Sequence, residues 1–238
     1  MIDEFVLLVV AKAPVPGLAK TRLTPPATPH QAAEIAAAAL LDSLDAVSAT
    51  PGAVPVVAMT GDLAKAVRAD ELRSRLRRLV VVEQRGASFA DRLANAHADA
   101  GGHRPGLPIV QVGMDTPQIT PALLAGTAAA LDDADAALGP AADGGWWVLG
   151  LTNPADAVLL RDVPMSTPDT FRDTWTALDD ARLRIGKVAE LSDVDTMGDA
   201  VRVAEEIPES RFASAVHAVL ASAGVGGAEM GRVEVGRC

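Results

Sequence analysis

Two kinds of apolar pattern alternate along this chain. In one, every position of a short run is apolar, as in FVLLVVA at Phe5–Ala11 and LVVVE at Leu79–Glu83. In the other, apolar residues recur every three or four positions in longer, Ala-rich stretches. The first kind predicts strands at Phe5–Ala11, Val54–Thr60, Leu79–Glu83, Pro108–Gly113, Ala136–Gly139 and Trp146–Leu151. The second predicts helices near His30–Ala49, Asp62–Arg77, Ser88–Ala100 and Pro121–Asp132. A strand with no polar side is covered on both faces, as in a parallel sheet between helices. Strand–helix alternation of this kind predicts an α/β doubly wound domain. Ligands of such sheets sit outside the carboxyl ends of the strands, so the residues just after each strand are the ones to read for chemistry.

Beyond Leu151 the alternation loosens. Helical patterns at Pro154–Arg161 and Pro168–Arg184 lead to a short segment at Lys187–Leu191, and helices follow at Met197–Glu206 and Glu209–Ala223. Residues 1–223 therefore read as a single domain. The Gly-rich stretch GVGGAEMGRVEVGRC, 224–238, reads as a disordered tail with no fixed packing role.

Composition narrows the function classes. Four Phe, three Trp and no Tyr in 238 residues leave a core of Ala, Val, Leu and Ile, and too few rings for a single-strand stacking platform. A net charge of −10 argues against the basic face of a nucleic-acid binder. The one cysteine, Cys238, excludes an internal disulfide and a cysteine zinc site. The apolar run in MIDEFVLLVVAK is too short for a signal-peptide core or a membrane span, which predicts a cytoplasmic protein. Lysine is rare, at Lys12, Lys20, Lys65 and Lys187, and two of these share one loop.

That loop, Ala11-Lys12-Ala13-Pro14-Val15-Pro16-Gly17-Leu18-Ala19-Lys20-Thr21-Arg22-Leu23, directly follows the first strand. Two prolines stiffen it, and Gly17 permits a turn or a close backbone approach. Lys12, Lys20 and Arg22 concentrate positive charge there in an acidic chain, as a phosphate chain requires. The Walker A pattern is absent. A second candidate is Gly113-Met114-Asp115-Thr116-Pro117, where a buried strand ends and presents a carboxylate. Asp115 could hold a divalent cation, since Mg²⁺ often takes only one or two protein carboxylates, or could cap a helix. A third is Asp143-Gly144-Gly145-Trp146, read either as a ligand approach with Trp146 as a flat apolar face or as a hairpin turn. A fourth is Ser192-Asp193-Val194-Asp195-Thr196. Asp193 or Asp195 could give a second carboxylate to a metal on Asp115, while Asp195 or Thr196 could cap the next helix. In Ser88–His97, Phe89, Leu93 and Ala96 form one apolar helical face, and Arg92 and His97 read as surface residues. No HxxxH and no GxSxG occurs, so covalent acyl chemistry has no support.

Taken in order, KxPxPGxxKTRL, Gly-x-Asp-x-Pro, GPxxDGG and DxDT resemble the DUF2064 family of CofC-like transferases over roughly residues 5–206. That family is similar to the nucleotide-diphospho-sugar transferase superfamily. The resemblance implies a three-layer α/β/α Rossmann-like GT-A fold with a mostly parallel mixed sheet. It implies that Ala11, Lys12, Pro14, Gly17, Lys20, Arg22 and Gly113 bind a nucleotide, and that Asp115 and Asp195 hold Mg²⁺ or Mn²⁺. Asp143, Gly144, Gly145 and Trp146 would line a small-molecule acceptor pocket, with Lys20, Arg22 and Asp143 catalytic. Two departures stand out: relatives carry Leu-Ala-Gly-Gly at Ala11–Pro14, and Tyr at Trp146. The implied activity is nucleotidyl transfer from a nucleoside triphosphate to a phosphorylated acceptor, with glycosyl transfer from a nucleotide sugar as the alternative. A non-catalytic nucleotide-binding module is the third expectation.

Overall fold

Seven strands share one sheet: β1 (Phe5–Lys12), β2 (Ala53–Thr60), β3 (Val80–Glu83), β4 (Ile109–Gly113), β5 (Ala136–Pro140), β6 (Trp146–Leu151) and β7 (Ile185–Lys187). The computed structural model describes residues 2–229 of the chain. The strand order is β3-β2-β1-β4-β6-β5-β7. β1 lies parallel to β2 and β4, β2 to β3, and β5 to β7, whereas β6 is antiparallel to both its neighbours. The sheet is thus mixed and mostly parallel, as the sequence predicts. The chain builds outward from β1 through β2 to β3, then returns to place β4 on the other side of β1. Between β1 and β4 the winding reverses, and a crevice opens there at the strands' carboxyl ends.

Among the described residues, seven α-helices surround the sheet: α1 (Pro29–Ser48), α2 (Ala69–Leu76), α3 (Phe89–His103), α4 (Pro121–Ala130), α5 (Thr170–Asp180), α6 (Met197–Glu206) and α7 (Arg211–Glu229). Side chains alternate across a strand, so both parities of β1 must be apolar to meet a helix on each side. Phe5, Leu7, Val9 and Ala11 pack with Leu40, Leu44, Leu72 and Leu124 of α1, α2 and α4. Val6, Leu8 and Val10 pack with Leu93 and Ala96 of α3, Leu178 of α5, and Leu160 of a 3-10 stretch at Pro154–Asp162. A third cluster joins the outer side of α1 to α6 and α7 through Ile35, Val203, Phe212 and Val216, and it buries Leu23 from the β1 loop.

Local chemistry sets the element ends, and it shortens two expected helices. The helix expected over Asp62–Arg77 begins only at Ala69. Asp62 accepts from the amides of Ala64 and Lys65 in a turn, Val67 N–H donates to the Pro14 carbonyl, and Arg68 is left-handed at φ 52°. The helix expected over Pro168–Arg184 is confined to Thr170–Asp180. Arg182 turns left-handed at φ 64°, and the chain straightens into β7. α7 carries the backbone on through 224–229, where the sequence predicts the start of a tail. The rest of that tail, 230–238, lies outside the described residues. Among the described residues no helix is long and apolar enough to cross a membrane.

Two expectations for α3 are corrected. His97 is fully buried rather than on the surface, its Nε2–H donating to Gln111 Oε1 of β4 at 2.9 Å. Phe89, expected in the apolar face, is 41% exposed, with the half-buried Arg92 guanidinium 5.6 Å from its ring centre. The face actually buried is set by Leu93, Ala96, His97 and Ala100, so the helix is rotated towards positions 93, 97 and 100.

Two predictions follow from this packing. Phe212→Ala should lower the unfolding free energy by about 3–5 kcal/mol, because a fully buried ring leaves a cavity. A urea midpoint unchanged by that substitution would detach α7 from the cooperative unit. The second concerns pH. Burial pushes the His97 imidazole down to about 4, with the Gln111 hydrogen bond opposing only in part. As pH falls below 6.5 the unfolded chain takes up a proton that the folded ring refuses until about pH 4. Stability present at pH 7 is therefore lost across that window, by about 3 kcal/mol at its lower end. Denaturant titrations at pH 7 and pH 4.5 should show His97→Gln losing less stability than the parent protein.

Candidate functional site

Residues after β1 and β4 face each other across the crevice. Past β1, Ala13 N–H still donates to the Thr60 carbonyl, which extends the β1–β2 ladder before the loop departs. Ala11 and Pro14 are buried, and their carbonyls are already engaged, by the Gln84 amide and by Val67 N–H. The Gln84 amide, from the segment after β3, donates to both the Ala11 and Ala58 carbonyls at 2.8 Å and ties three strand ends together. Lys12 is exposed, and its ammonium closes the loop on itself by donating to the Leu18 carbonyl at 2.9 Å. Gly17 lies at the exposed tip. Lys20 then takes a left-handed backbone, φ 46°, just before a 3-10 turn at Thr21–Leu23. Burial of Leu23 beneath α1, α6 and α7 anchors that turn. A cleft of about 260 Å³ adjoins the loop, lined by Gly17, Ala19, Thr21, Thr24, Pro29 and Ala32.

The Lys20 ammonium bridges two carboxylates from distant parts of the chain. It stands 2.9 Å from Asp115 Oδ2 and 3.1 Å from Asp195 Oδ1. Arg22, 72% exposed, reaches back to Asp195 Oδ2 at 2.9 Å. Three further bonds hold the 192–195 segment against the β4 loop: Thr116 Oγ1–H to Asp193 Oδ1 at 2.7 Å, the Gln118 amide to the Ser192 carbonyl at 2.6 Å, and Val194 N–H to the Asp115 carbonyl at 3.0 Å. Gly113 makes room for Asp115, because a Cβ there would lie 2.5 Å from Asp115 Oδ1. Helix capping, the competing role for these acids, falls to others: Thr120 caps α4, and Thr196 with Asp199 forms the capping box of α6.

The third expected constellation is also a hairpin turn. Ala141–Gly145 joins antiparallel β5 and β6, and Asp143 Oδ1 accepts from Gly145 N–H at 2.8 Å. Gly144 has φ 90° and lies against the Pro168 main chain, so no side chain fits there. Trp146 donates from its indole to Thr174 Oγ1 of α5 at 3.1 Å, which ties its ring to the helix below the turn. Trp147 is buried and donates to the Ala189 carbonyl.

The electrostatics favour a cation. Burial alone disfavours the Lys20 ammonium, but Asp115 and Asp195 outweigh it and hold its pKa above the ordinary lysine value. Asp193 is pushed up to about 7, first by burial and then by the charges of Asp115 and Asp143, against the Thr116 hydrogen bond and Lys20. Four carboxylates, those of Asp115, Asp143, Asp193 and Asp195, thus influence one crevice in which Lys20 and Arg22 supply the opposing charge. Among the described residues no group of three or more His, Cys, Asp or Glu side chains is gathered as a metal centre. A cleft of about 430 Å³ near Trp175, Arg182 and Ile185 touches none of these groups.

The structure therefore brings together Lys20, Arg22, Gly113, Asp115 and Asp195, with Asp143 near enough to influence Asp193. It keeps the Lys12 ammonium and the Trp146 ring in other contacts. Thr116, Gln118 and Gln84 were missed as site residues. Thr116 carried a signal in its place directly after Asp115. Gln84 and Gln118 had none, because their partners are main-chain carbonyls far away in the chain.

No curated protein matches this chain. Its fold is similar to that of a protein of Desulfovibrio desulfuricans G20 described as a candidate nucleotide-diphospho-sugar transferase, with a TM-score of 0.80 and 23% identity over 94% of this chain and 97% of that one. It is also similar to 4-diphosphocytidyl-2C-methyl-D-erythritol synthase of Anaerococcus prevotii DSM 20548, with TM-score 0.58, 10% identity, and 87% and 97% of the two chains covered. A third similar structure is CMP:2-keto-3-deoxy-manno-octonic acid synthetase complexed with CTP, with TM-score 0.52, 12% identity, and coverage of 87% and 99%. These likenesses are of fold, a mixed, mostly parallel sheet flanked by helices. The family model "Uncharacterized protein conserved in bacteria (DUF2064)" matches residues 43–167, from within α1 to the loop before α5. That span is more than half of the chain and includes Asp115 and the Asp143 hairpin, and the chain belongs to the DUF2064 family.

Proposed function

We infer that this protein is a nucleotidyltransferase that joins a nucleoside triphosphate to a phosphorylated small-molecule acceptor. The observation that carries the reading is the ion pairing of Lys20 with Asp115 and Asp195 at the reversal point of the sheet. Cations and carboxylates converge where α/β sheets of this winding bind ligands. The similar folds of two nucleotide-linked synthases, one of them complexed with CTP, support it.

The donor set was tested against the divalent metal this fold implies. Asp115 and Asp195 offer hard carboxylate oxygens, the donors that Mg²⁺ and Mn²⁺ prefer. Both carboxylates are partly exposed, 34% each, and so are open to an ion arriving from solvent. The residues fit, with Asp115 and Asp195 as the holders. When bound, the metal would neutralise charge on phosphate oxygens. In the reaction proposed, an acceptor phosphate oxygen bonds to the α-phosphorus. The bond from that phosphorus to the bridging oxygen of the β-phosphate breaks, and pyrophosphate leaves with the electron pair. Lys20 and Arg22 stabilise the departing pyrophosphate, and the backbone around Gly17 and Gly113 allows close approach of the phosphate chain. Asp143, Gly144 and Gly145 form the acceptor side. The chemistry asks for in-line placement and fixed charge, not for a covalent enzyme intermediate.

A second reading, glycosyl transfer from a nucleotide sugar, draws on the fold shared at TM-score 0.80 and on the exposed carboxylate of Asp143, which would serve as general base. Incubating the protein and Mg²⁺ with each nucleoside triphosphate or nucleotide sugar, and a panel of phosphorylated and hydroxyl acceptors, separates the two. Pyrophosphate release supports the first reading and nucleoside diphosphate release the second. Nucleotide binding without turnover would identify a binding module.

Lys20→Ala should reduce turnover about a hundred- to a thousandfold, as loss of one fixed transition-state charge does, with the far-ultraviolet circular dichroism unchanged. Undiminished turnover would remove the loop from the active site. Gly113→Ala should displace the Asp115 carboxylate and lower turnover about tenfold to a hundredfold, while unfolding free energy stays within about 1 kcal/mol of the parent. Steady-state rates measured alongside urea titrations check both halves of that expectation.

A further inference from the structure

The position of the Lys20 ammonium raises a question about how any metal enters. It contacts one oxygen of Asp115 and one of Asp195, the two carboxylates assigned to the metal. Its side chain is only 15% exposed, while each carboxylate is 34% exposed. A cation therefore already stands between the two acids, and it is covalently part of the protein. A divalent ion arriving alone would have to displace this ammonium or share its carboxylates at close range. The second oxygen of Asp195 is engaged by Arg22. The neighbouring acids have contacts of their own: one oxygen of Asp193 accepts from Thr116, and one oxygen of Asp143 accepts from Gly145 within its turn. A polyphosphate changes that balance, because its oxygens give the ammonium a new anionic partner at the moment the carboxylates are released to the metal.

The backbone points the same way. Lys20 is a non-glycine residue at φ 46°, ψ 45°, in a conformation that costs about 1 kcal/mol or more. It sits between the exposed loop tip at Gly17 and Leu18 and the anchored turn that ends in Leu23. Leu23 N–H donates to the Lys20 carbonyl at 3.0 Å, so the turn fixes this backbone conformation and the ion pairs fix where the ammonium ends.

We propose that Lys20 is the specificity-determining residue of this site: it excludes a free divalent cation from the Asp115–Asp195 pair and admits one only together with a polyphosphate. The proposal rests on the nucleotide reading above and deepens it, since the ligand becomes the metal–triphosphate complex and not the metal and nucleotide in either order. Reciprocity of binding requires that the triphosphate raise metal affinity by the same factor as the metal raises triphosphate affinity.

Binding of Mn²⁺, followed by loss of the free-ion electron paramagnetic resonance signal, tests this without any turnover. The parent protein should leave Mn²⁺ free when no nucleotide is present, and Lys20→Met should bind it at least about tenfold more tightly, a modest share of the repulsion between a monovalent and a divalent cation a few ångströms apart. Lys20→Arg, which keeps the charge, should behave as the parent does. Mn²⁺ alone should also raise the melting temperature of Lys20→Met and not that of the parent. Equal Mn²⁺ affinity in the parent and Lys20→Met overturns the proposal. Should Lys20→Met fail to fold, the parent still decides: Mn²⁺ bound as tightly without nucleoside triphosphates as with them overturns it. Failure of the nucleotide reading gives a different result, with no nucleoside triphosphate changing parent Mn²⁺ binding or melting temperature while Lys20→Met still gains the ion.

Discussion

The pairing of one lysine with two aspartates, 95 and 175 residues further along the chain, is the contact on which the crevice depends. Desolvating three charged groups is expensive, and such a cluster is weak grounds for stability. Its value is geometric. It joins the β1 loop, the β4 loop and the segment before α6 at one ammonium, with Arg22 adding a second ion pair to Asp195. Neutral side chains of similar volume would leave the sheet and the β4-loop contacts of residues 192–194 intact but would remove the tie that holds the β1 loop to both.

Around that contact the fold supplies rigidity from uncharged bonds. A hydroxyl of Thr116, the side-chain amide of Gln118 and the main-chain N–H of Val194 tie the late aspartates to the β4 loop. Gln84 holds the ends of β1 and β2 from the β3 side. The long apolar strands do the coarse positioning, since parallel registers put the carboxyl ends of β1, β2 and β4 at one edge. The charged residues then need only short excursions from those ends. The division of labour is plain: apolar packing sets where the loops start, and polar bonds set where their side chains finish.

Much of this was legible in the residue pattern. All six strands that were read exist, with ends shifted by one residue at most, but the all-apolar run LVVVE forms the edge strand β3, where Val81 is 45% exposed, and not a central one. Lys20, Asp115 and Asp195 were readable because each is a charge placed beside a strand end or a helix start in a chain short of lysine. What could not be read has a common cause. His97 looks polar in sequence, yet a neutral imidazole with one amide partner tolerates the interior. The helix over 62–77 looked continuous because one left-handed residue, Arg68, leaves no trace in composition. Gln84 and Gln118 act on carbonyls, which every residue has, so no pattern marks them.

The straps on residues 192–194 carry an implication for how such a molecule can be divided. The family-defining portion, 43–167, contains Asp115 but neither Lys20 nor Asp195. The outer layer of α6 and α7 looks like padding on the far side of α1, but α6 begins directly after Asp195 and shares its core with Leu23. A shortened homologue that kept the central sheet but dropped this layer with the segment before it would inherit the architecture together with Lys20 and Asp115, and would lose both Asp195 and the packing that buries Leu23.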